Sequence, residues 1–264
     1  MKIKFSLNVG AGLLVGATLM FSVGTTDISS LAAAEGDAPK DDLIPGDFSA
    51  NVALTTDYTF RGISQTSEIP AIQGGLDYDL SFSDAIGFNL GAWGSNVNFN
   101  DEDQAQVEID YYGGFSGKLS DIDWSAGVIY YSYPGAAGSL SYDYLESTIG
   151  LEYAFTDWLS ASVGYNYSPD YFGDSGPFHY PNGGLTLSGP GRFSPTLTAT
   201  AGYSAIQDNT AWGTPNYWDW SVGASVTVEG FDLGVTYVDT NLSKTECGSE
   251  NCKSRGVFTV SRSF

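Results

Sequence analysis

The sequence has few positive charges, few cysteines and few histidines, and each shortage excludes a class of protein. Only 10 of the 264 residues are Lys or Arg, against 31 Asp and Glu, so the clustered cations that bind nucleic acids are missing. One His and two Cys provide too few ligands for a typical zinc site. With 14% aromatic and only 16% charged residues, the chain is neither a disordered acidic segment nor an ordinary helical domain.

Long apolar runs are also missing after the N-terminus. No later segment approaches the roughly 20 apolar residues of a membrane helix. At the N-terminus, Lys2 and Lys4 precede an apolar run over 5–23, and residues 31–34 (LAAA) offer a small-residue cleavage site. Residues 1–34 are therefore predicted to be a cleaved signal peptide, and an N-terminal anchor is the less favoured alternative. The polar segment 35–47 is predicted to be a periplasmic spacer.

From Phe48 onward the dominant pattern has a period of two, which is typical of strands with two different faces. Val107, Ile109 and Tyr111 share one face, whereas Glu108 and Asp110 share the other. The pattern predicts twelve strands, near 48–61, 70–82, 86–97, 104–118, 122–133, 143–155, 158–168, 181–188, 193–204, 217–228, 231–240 and 255–264.

The predicted connections are alternately long and short. This alternation favours an all-β fold, a transmembrane antiparallel up-and-down β-barrel over 48–264, rather than a soluble β-sandwich. Aromatic residues cluster near the predicted strand ends, as expected for the aromatic girdles of such barrels. They are Trp124, Tyr130, Tyr131, Tyr133, Trp158, Tyr165, Tyr167, Tyr217, Trp218 and Trp220. We therefore expect the outer membrane of a Gram-negative bacterium, with its lipid as a partner.

The last predicted strand alternates and ends at Phe264. This ending resembles the tail by which outer-membrane proteins are recognised, so we expect the barrel-assembly machinery to bind this strand. Arg262 departs from the pattern, because an apolar or aromatic residue is usual at that position.

The segment Thr56–Thr66 reads TDYTFRGISQT. It resembles the TorF family of predicted porins, a proteobacterial outer-membrane family whose first strand carries a DYxFRGxSQ-type segment. The likeness covers most of the chain after the signal peptide, and these eleven residues are its most specific part. The resemblance implies a porin-like barrel.

The face opposite the apolar one is expected to line the inside of the barrel. The predicted pore-lining residues are Asp57, Arg61, Asp77, Asp79, Glu108, Asp110, Glu146, Glu152 and Asp219. Carboxylates in a narrow channel focus a negative potential, so the sequence predicts a preference for cations. Alternatively, Arg61 ties several acids into a buried network that closes the barrel. Asp57, four residues before Arg61 on the same predicted strand face, is its expected partner.

The two cysteines, Cys247 and Cys252, lie in the last long connection and are predicted to form a disulfide in an oxidising compartment. We expect no bound metal or cofactor. His179 lies in a Gly- and Pro-rich stretch without an arrangement of Ser or Asp that specifies catalysis, so we do not expect an enzyme.

These observations leave three functional hypotheses. The favoured one is a porin-like channel for passive diffusion of small solutes. The second is a non-conducting outer-membrane barrel that acts through its extracellular loops as a structural or adhesive element. The third, an outer-membrane enzyme that uses His179, has the least support.

Cleavage after Ala34 would leave Glu35 as the first residue of the mature protein. N-terminal sequencing and the intact mass of protein purified from the bacterial envelope measure this directly. Replacing Ala34 with Leu should block cleavage, because the peptidase requires a small side chain there. Envelope protein that retains Met1 in the unaltered chain would contradict the prediction.

Overall fold

A computed structural model describes residues 45–264 except Asp84, Asp101, Asp103 and Gln104. The predicted signal peptide over 1–34 and most of the predicted spacer lie outside these residues. Among the described residues, no helix is both long and apolar enough to cross a membrane.

Twelve strands of the described chain form one closed barrel. They are β1 (Asp47–Thr55), β4 (Ala71–Ser83), β5 (Ile86–Asn96), β6 (Val107–Leu119), β7 (Ile122–Ser132), β8 (Tyr144–Thr156), β9 (Leu159–Ser168), β10 (Phe178–Ser188), β11 (Thr196–Ile206), β12 (Tyr217–Val228), β13 (Phe231–Thr240) and β14 (Arg255–Ser263). The remaining elements are short: β2 (Thr59–Phe60), β3 (Ile63–Ser64), a 3-10 turn (Gly138–Leu140), α1 (Asn209–Trp212) and α2 (Lys244–Cys247).

Each barrel strand pairs with its neighbours in the chain, and β1 closes the ring by pairing with both β14 and β4. All these pairs are antiparallel, and Leu54 of β1 lies between Val260 of β14 and Ile72 of β4. The predicted antiparallel up-and-down barrel of twelve strands is therefore confirmed. Closure leaves none of these twelve strands with an unpaired edge, which removes the main obstacle to placing a sheet in lipid.

The connections define two different rims. Among the described residues, the short-turn rim contains 85, 120–121, 157–158, 189–195 and 229–230. The long-loop rim contains 56–70, 97–100, 102, 105–106, 133–143, 169–177, 207–216 and 241–254. The N-terminal end of β1 and the C-terminal end of β14 both lie at the short-turn rim.

The first strand is shorter than the sequence predicts, because β1 ends at Thr55 rather than near residue 61. The chain then leaves the barrel wall and forms the small hairpin of β2 and β3. Arg61 and Gly62 form its two-residue turn with φ angles of 47° and 81°, the left-handed values that such a turn requires. A Cβ atom at Gly62 would lie 2.4 Å from Thr240 Cγ2, so the hairpin tip approaches the wall too closely for a larger residue.

The outer face of the barrel is apolar between two belts of exposed aromatic residues. Exposed aromatic residues near the long-loop rim are Tyr111, Tyr130, Tyr165, Tyr167, Trp218 and Tyr237. Those near the short-turn rim are Phe48, Phe82, Phe155, Trp158, Phe193 and Phe264. This distribution matches the two aromatic girdles of outer-membrane barrels.

Because the outer face is apolar, two arginine substitutions on neighbouring strands should differ strongly in their effect on the free energy of unfolding. Val222 is 56% exposed on the outer face in the middle of β12, so Val222→Arg should lower the free energy of unfolding in lipid by about 2–4 kcal/mol. Thr200 on β11 is exposed on the inner face, and Thr200→Arg is the matched control with little effect. Denaturant titration of refolded protein in lipid vesicles measures both. Equal losses would contradict the assigned faces.

Candidate functional site: the acidic interior of the barrel

The nine residues that the sequence predicts to line a pore fall into two layers inside the barrel. Nearer the long-loop rim, six are buried, namely Asp57, Arg61, Glu108, Asp110, Glu146 and Asp219. Nearer the short-turn rim, Asp77 and Glu152 are half-buried and Asp79 is exposed. The two layers therefore differ in their access to water.

Arg61 is the central cation of the buried layer. Its Nη2 atom donates hydrogen bonds of 2.8 and 2.7 Å to the two carboxylate oxygens of Glu146 on β8. The guanidinium carbon also lies 4.5, 4.6 and 4.4 Å from the ring centroids of Phe60, Phe178 and Tyr180. Such aromatic faces attract a desolvated cation. The hairpin tip is thus joined to the opposite wall by charge and by packing.

The predicted pair between Asp57 and Arg61 is wrong. Asp57 instead accepts a 2.8 Å bond from Arg255 Nη1 on β14, and its other oxygen accepts bonds from the hydroxyls of Ser64 and Thr66. The two residues cannot share a strand face because β1 ends before either of them. Arg255 was missed as an interior base, although it has the same parity as the inward residues Val257 and Thr259.

Glu108 on β6 is held by the loop rather than by a base. The hydroxyl of Tyr58 donates a 2.6 Å bond to Glu108 Oε1. Burial, and then the negative charge of Glu108, raise the pKa of the Tyr58 phenol well above its ordinary value. Tyr58 lies in the connection after β1, outside the barrel strands. Because its pKa is raised, the phenol stays protonated and can donate this hydrogen bond.

Asp219 on β12 has a similar neutral partner. The hydroxyl of Tyr180 donates a 2.9 Å bond to Asp219 Oδ1. The Tyr180 ring lies flat against the wall because Gly202 provides space, and a Cβ atom there would lie 2.2 Å from the ring. The interior glycine therefore makes room for the donor that satisfies this acid.

Aromatic side chains fill much of the space around these charges. The sequence assigns Tyr131, Tyr133 and Tyr217 to the outer girdles, but all three point inward and are buried. They join one apolar cluster that also includes Tyr58, Phe60, Tyr144, Tyr171, Phe178 and Tyr180. The part of the barrel nearer the long-loop rim is therefore packed.

The part nearer the short-turn rim is more open. Asp77 accepts a 2.5 Å bond from the Tyr112 hydroxyl, and Asp79 accepts a 3.0 Å bond from Asn89. Thr200 and Asp79 are exposed although they face inward, so water reaches this half of the interior. The barrel thus has a packed layer near the long-loop rim and an acidic, water-accessible half near the short-turn rim. We call this half the open cup, and its acids are Asp77, Asp79 and Glu152.

The loop over 56–70 is fastened to the last long loop. Ser64 donates a backbone hydrogen bond to the Asn251 carbonyl at 2.9 Å, and Lys253 lies 3.2 Å from Glu68. The predicted disulfide between Cys247 and Cys252 is present in this second loop. The disulfide therefore restrains the segment against which the inward hairpin rests.

His179 lies outside this interior. It is exposed on β10, and its Nδ1 atom is 2.6 Å from the hydroxyl of Tyr165. Its ring also lies close to that of Tyr167. Among the described residues, no group of three His, Cys, Asp or Glu side chains is arranged to hold a metal ion.

Residues 40–264 match the sequence model of Gcw_chp, a bacterial protein of unknown function. No curated protein matches the sequence significantly.

Solved structures show the same fold. The KdgM porin has a TM-score of 0.52 at 12% identity, covering 82% of this chain and 99% of that chain. The NanC porin in a rhombohedral crystal form has a TM-score of 0.51 at 12% identity, covering 83% and 99%. The KdgM porin in complex with disordered oligogalacturonate has a TM-score of 0.50 at 11% identity, covering 82% and 99%.

The ion pair at the hairpin tip predicts a large effect of a small substitution. Glu146→Gln keeps the shape but leaves the buried Arg61 charge without its partner, so the free energy of unfolding should fall by about 3 kcal/mol. Glu229→Gln is the matched control, because the pair of Glu229 with Arg192 is exposed and should contribute less than about 0.5 kcal/mol. Denaturant unfolding followed by tryptophan fluorescence compares them. Similar losses of unfolding free energy for the two variants would show that the buried pair contributes no more to stability than an exposed one.

Proposed function

The chain belongs to the Gcw_chp family of bacterial proteins of unknown function, and we propose that it is an outer-membrane channel for passive diffusion of small solutes. The closed barrel with an apolar outer face and an acidic interior is the observation that carries this proposal. Similar folds belong to proteins described as porins. A Gram-negative outer membrane is the ordinary location of such a barrel.

The proposed solutes are cations or neutral molecules rather than anions. The buried layer contains five acids and two bases. The acids are Asp57, Glu108, Asp110, Glu146 and Asp219, and the bases are Arg61 and Arg255. Asp77, Asp79 and Glu152 add negative charge to the open cup. This surplus focuses a negative potential. An acidic saccharide such as the oligogalacturonate in the KdgM complex is therefore a poor candidate for this chain.

The second candidate is a non-conducting barrel that acts through its loops. It is favoured by the packed layer near the long-loop rim, where Arg61 and the aromatic cluster fill the interior. In the channel proposal, the hairpin of β2 and β3 forms the constriction, and solutes pass when it shifts.

The export and assembly steps belong to the same proposal. Residues 1–34 serve as the signal peptide, and 35–47 lead from the periplasm to the barrel at the short-turn rim. The barrel-assembly machinery recognises β14. The resemblance of Thr56–Thr66 to the TorF family supports a porin-like role, because this segment supplies the hairpin at the constriction.

Single-channel recording in a planar lipid bilayer tests the proposal. Refolded protein should conduct, and in a KCl gradient the reversal potential should indicate preference for potassium over chloride. Asp77→Asn combined with Asp79→Asn should reduce this preference, because it removes two charges from the open cup. Asp121→Asn is the control, since Asp121 lies in an exposed turn outside the strands.

Each result assigns a function. If no channels form, the second candidate replaces the first. If channels form but prefer chloride, the acidic interior does not control permeation. If the double variant and the Asp121→Asn control have the same ion selectivity, Asp77 and Asp79 do not line the permeation path.

A further inference from the structure

Asp110 is a buried acid without a visible partner. Its side chain on β6 is 0% exposed, and neither carboxylate oxygen has a hydrogen-bond partner among the described residues. The hydroxyl of Tyr131, on the neighbouring strand position of β7, is also buried and unpartnered within the same part of the chain. Burying an isolated carboxylate is costly unless a positive charge or a donor compensates it.

The nearby charges increase this cost. Glu108 and Glu146 both interact electrostatically with Asp110. Arg61 is engaged by Glu146 and Arg255 by Asp57, and none of the ion pairs of the described residues includes Asp110. Glu108 differs from Asp110 because it already accepts a bond from Tyr58. A positive charge is therefore more strongly favoured beside Asp110 than beside Glu108.

We propose that Asp110 and Tyr131 bind one monovalent metal cation, sodium or potassium, inside the barrel. The carboxylate and hydroxyl oxygens are hard ligands that suit such an ion. A divalent ion such as calcium is usually bound by several carboxylates that offset its double charge, and no suitable group of three such side chains occurs among the described residues.

The cation reaches this site from the open cup. Tyr112 follows Asp110 on the inner face of β6 in the direction of the short-turn rim, and it bonds to Asp77. Asp79 lies further toward that rim on β4 and is exposed. The acids therefore form a series from the mouth of the cup to Asp110. Binding does not require conduction, and only the consequence for transport rests on the proposed function.

Cation-dependent stability tests the site directly. The melting temperature of refolded protein is measured in sodium, potassium or choline chloride at equal ionic strength and constant pH. A small metal cation at about ten times its dissociation constant should raise the melting temperature by about 3–6 °C relative to choline, because it binds the folded state.

Three variants locate the effect. Asp110→Asn should abolish the dependence on sodium or potassium, whereas Asp121→Asn should retain it. Tyr131→Phe should raise the half-saturating cation concentration about fivefold, as expected for the loss of one neutral ligand. If Asp110→Asn does not refold, Tyr131→Phe still decides the question.

Two outcomes would overturn the proposal. The first is equal stability of the unaltered protein in sodium, potassium and choline, which is the result expected if Asp110 holds a proton instead of a metal cation. The second is cation dependence that persists unchanged in Asp110→Asn or Tyr131→Phe. Stabilisation without conductance would retain the site and reject the channel, whereas cation-selective conductance without stabilisation would do the reverse.

Discussion

Closure of the sheet is the constraint on which the rest of this structure depends. Because β1 pairs with both β14 and β4, every wall strand has two neighbours, and successive side chains must point alternately outward and inward. Apolar residues occupy the outer positions, whereas the inner positions carry the acids together with the buried aromatic cluster. The alternation that suits the wall to lipid thus concentrates the acids in a confined interior, where their charges must be compensated.

The segment after β1 provides part of that compensation. Asp57 forms an ion pair with Arg255, and Arg61 forms one with Glu146. Tyr58 donates a hydrogen bond to Glu108. Gly62 allows the hairpin tip to approach the wall. The residues that resemble the TorF motif therefore form a compact insert that joins distant strands, which gives this motif a physical role independent of any solute.

Compensation differs between the acids, and this difference links the fold to the proposed function. Basic partners are used for Asp57 and Glu146, whereas tyrosine hydroxyls serve Glu108 and Asp219. A neutral donor stabilises a carboxylate without cancelling its charge, so the interior remains negative. That potential is available to act on solutes that enter the water-accessible cup.

The sequence by itself determined the wall. Period-two alternation located all twelve strands to within a few residues, apart from the end of β1, and it assigned the acids of the other strands to the inner face. It also indicated the disulfide between Cys247 and Cys252. These features depend on neighbouring residues, so local patterns reveal them.

Only the tertiary structure decided which inward groups meet. Arg61 contacts Glu146 at a separation of 85 residues, and Asp57 contacts Arg255 at a separation of 198. Parity tells on which side of the wall a residue lies, but not which residues face each other across the interior. The sequence also did not show that 56–70 turns into the barrel, because its alternating pattern resembles a continuing strand. Only in the closed barrel does the interior cluster exist against which this segment packs.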